Sequence, residues 1–278
     1  MSRRITSYYR DGLTFDVRDE GPLDGPVAVL LHGFPERSTS WREVAPILHA
    51  RGIRTLAPDQ RGYSPGARPK RRRDYRLPLL VDDVTALVER VGGPVDVVGH
   101  DWGAVVGWAL AATRPELVRT LTAASVPHPA AFLKAMVSSR QGLSSWYMLA
   151  FQLPFLPERL AREPGGYLDE QLRRGGMTVD DVARFRREIV DYGALPGALN
   201  WYRAMPLSDP RTTRERVTVP TTYVWSDGDV ALTRHTAELC GRFVTGPYRF
   251  AVLEGVSHWI PTQAAEPLAA LVLDRISG

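Results

Sequence analysis

The sequence predicts an α/β protein whose mostly parallel central sheet carries helices on both faces, with a helical segment inserted into it. Three observations lead there. The runs "PVAVLLHGF", "GIRTLAPD" and "PVDVVGH" are apolar without alternation, as strands buried on both faces are. Helical patterns separate the later strand runs, and strand and helix in alternation imply parallel pairing covered on both sides. After Pro127 the pattern breaks into helical pieces rich in proline and aromatics, and strand-like runs return only at "VPTTYVWSDGD".

Each element has its own signal. "ITSYYRDG" and "LTFDVRDEG" read as paired strands, each followed by a glycine turn. In "LPLLVDDVTALVERVGG", Leu80, Val84, Leu87, Val88 and Val91 fall on one helical stripe, with glycine after the end. "WGAVVGWALAATRP" reads as a buried helix of small residues, stopped before Pro115. "VRTLTAASVP" is the next strand, and the chain closes with a helix near "TRHTAELCGRF", the strand "YRFAVLEG" and the helix "AAEPLAALVLDRI". The division predicted is a core of residues 1–127 and 214–278 and a helical cap of residues 128–213.

Composition narrows the class. The 278 residues carry a formal charge of +4, with arginine supplying nearly all the basic side chains. The dense basic run "KRRRDYR" could attract phosphate, but a solvated loop explains it more simply, so no nucleic-acid partner is expected. No apolar stretch is long enough to span a bilayer, and "MSRRITSYYRDG" lacks the apolar run of a signal peptide. The single cysteine, Cys240, excludes an internal disulfide and suits a cytoplasmic protein.

The chemistry centres on "VVGHDWGA". Gly99-His100-Asp101-Trp102-Gly103 has the glycine frame of a turn that lifts a nucleophile above a sheet, with a carboxylate where serine often stands. An aspartate opening a helix can be a plain N-cap, but a cap does not need glycines on both sides. A nucleophile of this type is followed in the chain by an acid and then a histidine. Of six histidines, His258 alone lies after the last strand and before the final helix. Asp227 and Asp229 both follow "TTYVW"; Asp229, farther past the strand end, is the chosen acid. "HGFP" ends an early strand, and the backbone N–H groups of Phe34 and Trp102 are the natural donors to a developing oxyanion.

These residues resemble the α/β-hydrolase superfamily and, within it, the epoxide hydrolases, in "HGFPE", "GHDWG", "VWSDGD" and "GVSHW" taken in order. The resemblance spans nearly the whole chain and implies the α/β-hydrolase fold. "GHDWG" is shared with haloalkane dehalogenases. Two cap stretches favour the epoxide enzymes: "SSWYMLAFQLP" and "LNWYRAMP" look like the segments that supply the two lid tyrosines, here Tyr147 and Tyr202. Dehalogenases commonly place asparagine after His-Gly, where this chain has Phe34. Ser226 stands where the family often has glycine, and "DQRGYSPG" is a common hydrolase loop that says nothing of substrate.

The chemistry fits. A carboxylate with a reference pKa of about 4 is ionised at neutral pH, and it suits displacement at a saturated carbon, giving an ester on the enzyme. The resemblance implies a cytoplasmic detoxification enzyme that makes vicinal diols. Tyr147 and Tyr202 would polarise the epoxide oxygen, His258 with Asp229 would activate water, and Phe34, Trp102, Tyr147, Tyr202 and Trp259 would line the substrate pocket. The expected partners are a small apolar epoxide and water, with a homodimer left open, and no metal or organic cofactor is expected. The rival readings are a haloalkane dehalogenase with the same triad and a non-catalytic ligand receptor on the same fold.

Overall fold

The computed structural model describes residues 3–208 and 215–278. The boundary expected at 213/214 lies outside the described residues. Eight strands form one sheet in the order β1-β2-β4-β3-β5-β6-β7-β8. They are β1 (Ser7–Arg10), β2 (Leu13–Glu20), β3 (Val27–Leu31), β4 (Arg54–Pro58), β5 (Val95–His100), β6 (Val118–Ala124), β7 (Thr221–Ser226) and β8 (Tyr248–Leu253). The pairs β1/β2 and β2/β4 are antiparallel, and β3 to β8 run parallel.

The unbroken apolar strands are explained by two cores. On β3, Val27, Val29 and Leu31 enter one cluster, while Ala28 and Leu30 enter the other; side chains alternate across a strand, and here both faces are covered. One face holds α2 (Leu77–Val91) and α3 (Trp102–Thr113), and the other holds α1 (Val44–His49) and the C-terminal helix, α13 (Ala265–Ser277). Helix α2 ends at Gly92 in the left-handed conformation, a common helix stop. Helix α3 buries nine of its twelve residues, which is why it carries no polar stripe. Helix α1 has only six residues, too few for a periodic pattern to mark it in the sequence.

Between β6 and β7 the described residues form helices and no strand: α4 (Pro129–Ser138), α5 (Gln141–Ser144), α6 (Tyr147–Ala150), α7 (Leu156–Arg162), α8 (Tyr167–Arg174), α9 (Val179–Phe185), a π-helical turn (Arg186–Asp191) and α10 (Leu195–Ala204). Two short helices follow β7, α11 (Arg234–Leu239) before β8 and α12 (Ile260–Gln263) before α13. Phe185, Ile189, Leu195 and Trp201 join the same cluster as α2 and α3, so the helical layer is packed onto the sheet. Helix α10 is docked by a close backbone approach. A Cβ on Gly197 would lie 2.5 Å from Gly62 Cα, and Gly62 has φ +92°. Gly62 belongs to the "DQRGYSPG" loop, so that loop seats the helix that carries Tyr202. The basic run 70–73 is exposed, and its continuation Arg72–Tyr75 is a 3-10 turn anchored by buried Tyr75.

Candidate active site

The carboxyl ends of the parallel strands bring the predicted residues together. Asp101 links β5 to α3 with φ 51° and ψ −120°, a backbone region that costs a non-glycine residue of order 1–3 kcal/mol. The sharp turn pushes α3 against β3: a Cβ on Gly103 would lie 2.0 Å from Leu31 O, and no side chain fits there. Asp101 occupies the N-cap position of α3, yet its side chain makes no capping bond. Its Oδ1 instead accepts the Phe34 N–H at 2.7 Å. The carboxylate is thus free of structural duty to its own helix and rests on one of the two predicted oxyanion donors. The other, the Trp102 N–H, opens α3, where the first amides of a helix have no intrahelical acceptor.

His258 lies between two carboxylates. Its Nδ1 is 2.8 Å from Asp229 Oδ2, and its Nε2 is 3.5 Å from Asp101 Oδ2. The second oxygen of Asp229 accepts the N–H groups of Ala231 and Leu232 at 2.8 and 3.1 Å, which holds the acid's orientation. Asp227 is turned away, accepting the Gly255 N–H at 2.7 Å. The backbone of His258 is also pinned: its carbonyl accepts from His100 Nε2 and from Ser125 Oγ, each at 2.9 Å.

These contacts set the charge states. Burial works against the imidazolium, but the charge of Asp229 and the hydrogen bonds to Asp101 and Asp229 outweigh it, raising His258 to about 10. Burial would push the Asp101 carboxyl up, yet the His258 ring beside it, His100 and the Phe34 N–H hold it below the usual carboxylate range. Asp101 and His258 therefore form a buried ion pair at neutral pH.

Tyr147 and Tyr202 face this pair. Both line, together with Asp101 and His258, the two cavities that meet at the site. Their ring centroids are 6.2 Å apart, and Tyr202 packs edge-on against Phe34, Trp102 and Phe151 at 5.0–5.2 Å. Burial, and next the charge of Asp101, push both phenols up, so each keeps its proton and remains a donor. One cavity, about 230 Å³, runs between Trp102, Phe132, Met148 and Met205. The other, about 770 Å³, passes Phe34, Trp146, Phe151 and Trp259. Asp101 sits where they join, under walls that are mostly apolar.

Two functional candidates were not legible in the sequence. Glu36, within the quoted "HGFPE", is buried; its Oε1 accepts from Arg184 at 2.9 Å and its Oε2 lies 4.0 Å from His100 Nδ1. Burial pushes the Glu36 carboxyl up to about 8, despite the Arg42 guanidinium. Burial, aided by His258, lowers His100 to about 4. Glu36 Oε2 and His100 Nδ1 have no hydrogen-bond partner among the described residues, although the His100 ring centroid is only 5.1 Å from that of His258. The available signal was a carboxyl three residues after the His-Gly pair. No group of three or more metal-ligating side chains occurs among the described residues, and no described helix is long and apolar enough to cross a membrane.

Comparison with known proteins identifies the family to which the chain belongs. A family model described as the alpha/beta hydrolase family matches residues 28–271. The chain is 36% identical to the AB hydrolase superfamily protein YfhM of Bacillus subtilis over 274 residues, covering 96% of this chain and 95% of that protein. It is 30% identical to epoxide hydrolase A of Mycobacterium tuberculosis, covering 96% and 95%. Among solved structures it is similar to an epoxide hydrolase of Vigna radiata, with a TM-score of 0.82, 29% identity and coverage of 98% and 97%. It is also similar to epoxide hydrolase A of Mycobacterium thermoresistibile, with a TM-score of 0.79, 26% identity and the same coverage.

Proposed function

Since the chain belongs to the epoxide hydrolase family of the α/β-hydrolase superfamily, we propose that it converts epoxides to vicinal diols through a covalent ester on Asp101. The observation that carries this reading is the ion pair of Asp101 and His258 facing two un-ionised tyrosines across an apolar junction.

In the first step Asp101 Oδ2 attacks an epoxide carbon, and the C–O bond of the ring breaks. The leaving oxygen takes a hydrogen bond and then a proton from the pair Tyr147 and Tyr202, which line the same junction. Esterification removes the negative charge of Asp101. One of the two groups that hold His258 protonated is then lost, and the imidazole can release its proton, for instance to the tyrosinate left by ring opening. A histidine that is an acid in the resting enzyme thereby becomes a base only when an ester is present to hydrolyse.

In the second step neutral His258, oriented by Asp229, takes a proton from water. The water attacks the Asp101 carbonyl, and the N–H groups of Phe34 and Trp102 receive the oxyanion. Collapse releases the diol and restores both charges. The helical layer described from residue 128 to residue 208 acts as the cap, because it supplies both tyrosines and roofs both cavities. A dehalogenase reading has less support, because Phe34 stands where a halide-binding amide side chain would be expected, and the tyrosine pair would have no role.

The test uses His258→Gln and Asp101→Ala. The first should accumulate an adduct of substrate mass on the peptide containing Asp101, and the second should show none. In a single turnover of the unmodified enzyme in heavy-oxygen water, label should enter Asp101 before it enters the diol. Label passing straight to the diol would mean that Asp101 is not the nucleophile. Activity should persist in EDTA, and steady halide release with no diol formation would favour the dehalogenase.

A further inference from the structure

The wide cavity opens through an apolar rim that the reaction does not use. Among the described residues, half of the 14 exposed large apolar side chains fall between residues 143 and 167. Leu143, Trp146, Leu156 and Tyr167 line the wide cavity and are also 45–75% exposed, so they form its mouth. Between them in the chain, Leu149 and Phe155 point outward at 76% and 82% exposure without lining either cavity. Apolar side chains scattered singly need no explanation, but a contiguous set around a pocket mouth marks a contact surface.

Charge identifies the contact. Exposed Lys134, Arg140, Arg159 and Arg162 flank this stretch. Lys134, Arg140 and Arg159 are in no ion pair with a described residue, whereas the nearby Glu158 is paired with Arg203. Glu163 is the one other acidic side chain from 134 to 167. A net basic border around exposed leucine, phenylalanine and tryptophan is the composition of interfacial segments that lie in a lipid headgroup layer. A second copy of the chain would bring like charges together and close the mouth.

We propose that the rim from Leu143 to Leu156 docks on the surface of an anionic lipid bilayer, so that apolar epoxides dissolved there pass directly into the wide cavity. The delivery half of this inference rests on the epoxide reading; the docking half does not.

Sedimentation with phosphatidylcholine vesicles, with and without a minor share of phosphatidylglycerol, tests docking in the absence of any epoxide. Binding should require the anionic lipid. It should weaken on the order of tenfold or more in Arg140→Glu/Arg159→Glu, and similarly in Leu149→Glu/Phe155→Glu. Both variants should turn over a water-dissolved epoxide at the unmodified rate while losing their advantage on a vesicle-dissolved one. The unmodified protein offers a second readout that needs no variant. Of seven tryptophans, Trp146 is 52% exposed and the other six are at most 9% exposed. Brominated lipid should therefore quench Trp146 emission. Failure to sediment with anionic vesicles, or absence of quenching, overturns the proposal. So does a solution dimer that Leu149→Glu/Phe155→Glu dissociates, which would assign the rim to a second copy. Docking without epoxide turnover would leave the lipid surface standing and remove the catalytic reading alone.

Discussion

Replacing Asp229 by Asn isolates one contact. The amide keeps an oxygen for the Ala231 and Leu232 N–H groups, so the loop retains its hydrogen bonds. It removes the negative charge 2.8 Å from His258 Nδ1. Raising the imidazole from an ordinary 6.5 to about 10 corresponds to roughly 5 kcal/mol in favour of imidazolium. The charge of Asp229 is the largest contribution opposing burial, and a hydrogen bond to a charged group is worth about 1.5–3 kcal/mol. Hydrolysis of the ester passes through a transition state in which His258 gains a proton, so the lost charge alone should slow it roughly 10- to 150-fold, and the amide N–H now facing Nδ1, which favours the wrong imidazole tautomer, should carry the loss towards about 10⁴-fold. Alkylation needs no base and should change only severalfold. Rapid mixing can follow alkylation through the emission of Trp102, adjacent to Asp101, while quenched-flow mass analysis follows loss of the adduct. Both kcat and KM should fall as the ester accumulates. A kcat lowered with no accumulated ester, or equal losses in both steps, would refute this division of labour.

Single Tyr147→Phe and Tyr202→Phe changes each remove a donor to a developing alkoxide and should slow alkylation by about a hundredfold; a variant that alkylates at full rate identifies that tyrosine as packing. Gly197→Ala puts a Cβ where Gly62 Cα would be 2.5 Å away, so α10 must shift and Tyr202 with it. Its alkylation rate should drop by one to two orders of magnitude, about the cost of a 1 Å misplacement, while breakdown of a preformed ester is spared. Stability should also depend on pH in a defined direction. The pKa of His258 is raised on folding, so its contribution is complete below about 6.5, its unfolded value, and is lost as pH rises towards about 10. The melting temperature of the unmodified protein should therefore fall more between neutral and alkaline pH than that of His258→Gln, and parallel curves would contradict the buried ion pair.

The sequence by itself determined the alternation of strands and helices, because burial of a strand on both faces is written locally as an unbroken apolar run, as on β3. It also determined where a nucleophile would stand, since the glycines around Asp101 record a turn too tight for side chains. The order of acid and histidine could be read because each follows a recognisable strand. The sequence favoured Asp229 over Asp227 only by its distance past the strand end, and tertiary structure supplies the physical basis for the choice. The two are separated by one residue, and the choice depends on which carboxylate the loop turns towards His258 and which it turns towards Gly255. Tertiary structure alone revealed Glu36 and His100 as a buried pair, because their proximity joins the ends of β3 and β5 and leaves no local pattern. The charge states followed the same rule. Asp101 and His258 are ordinary titratable residues in the chain, and they become an ion pair only because folding buries them against each other, with Asp229 behind, where little solvent remains to screen them.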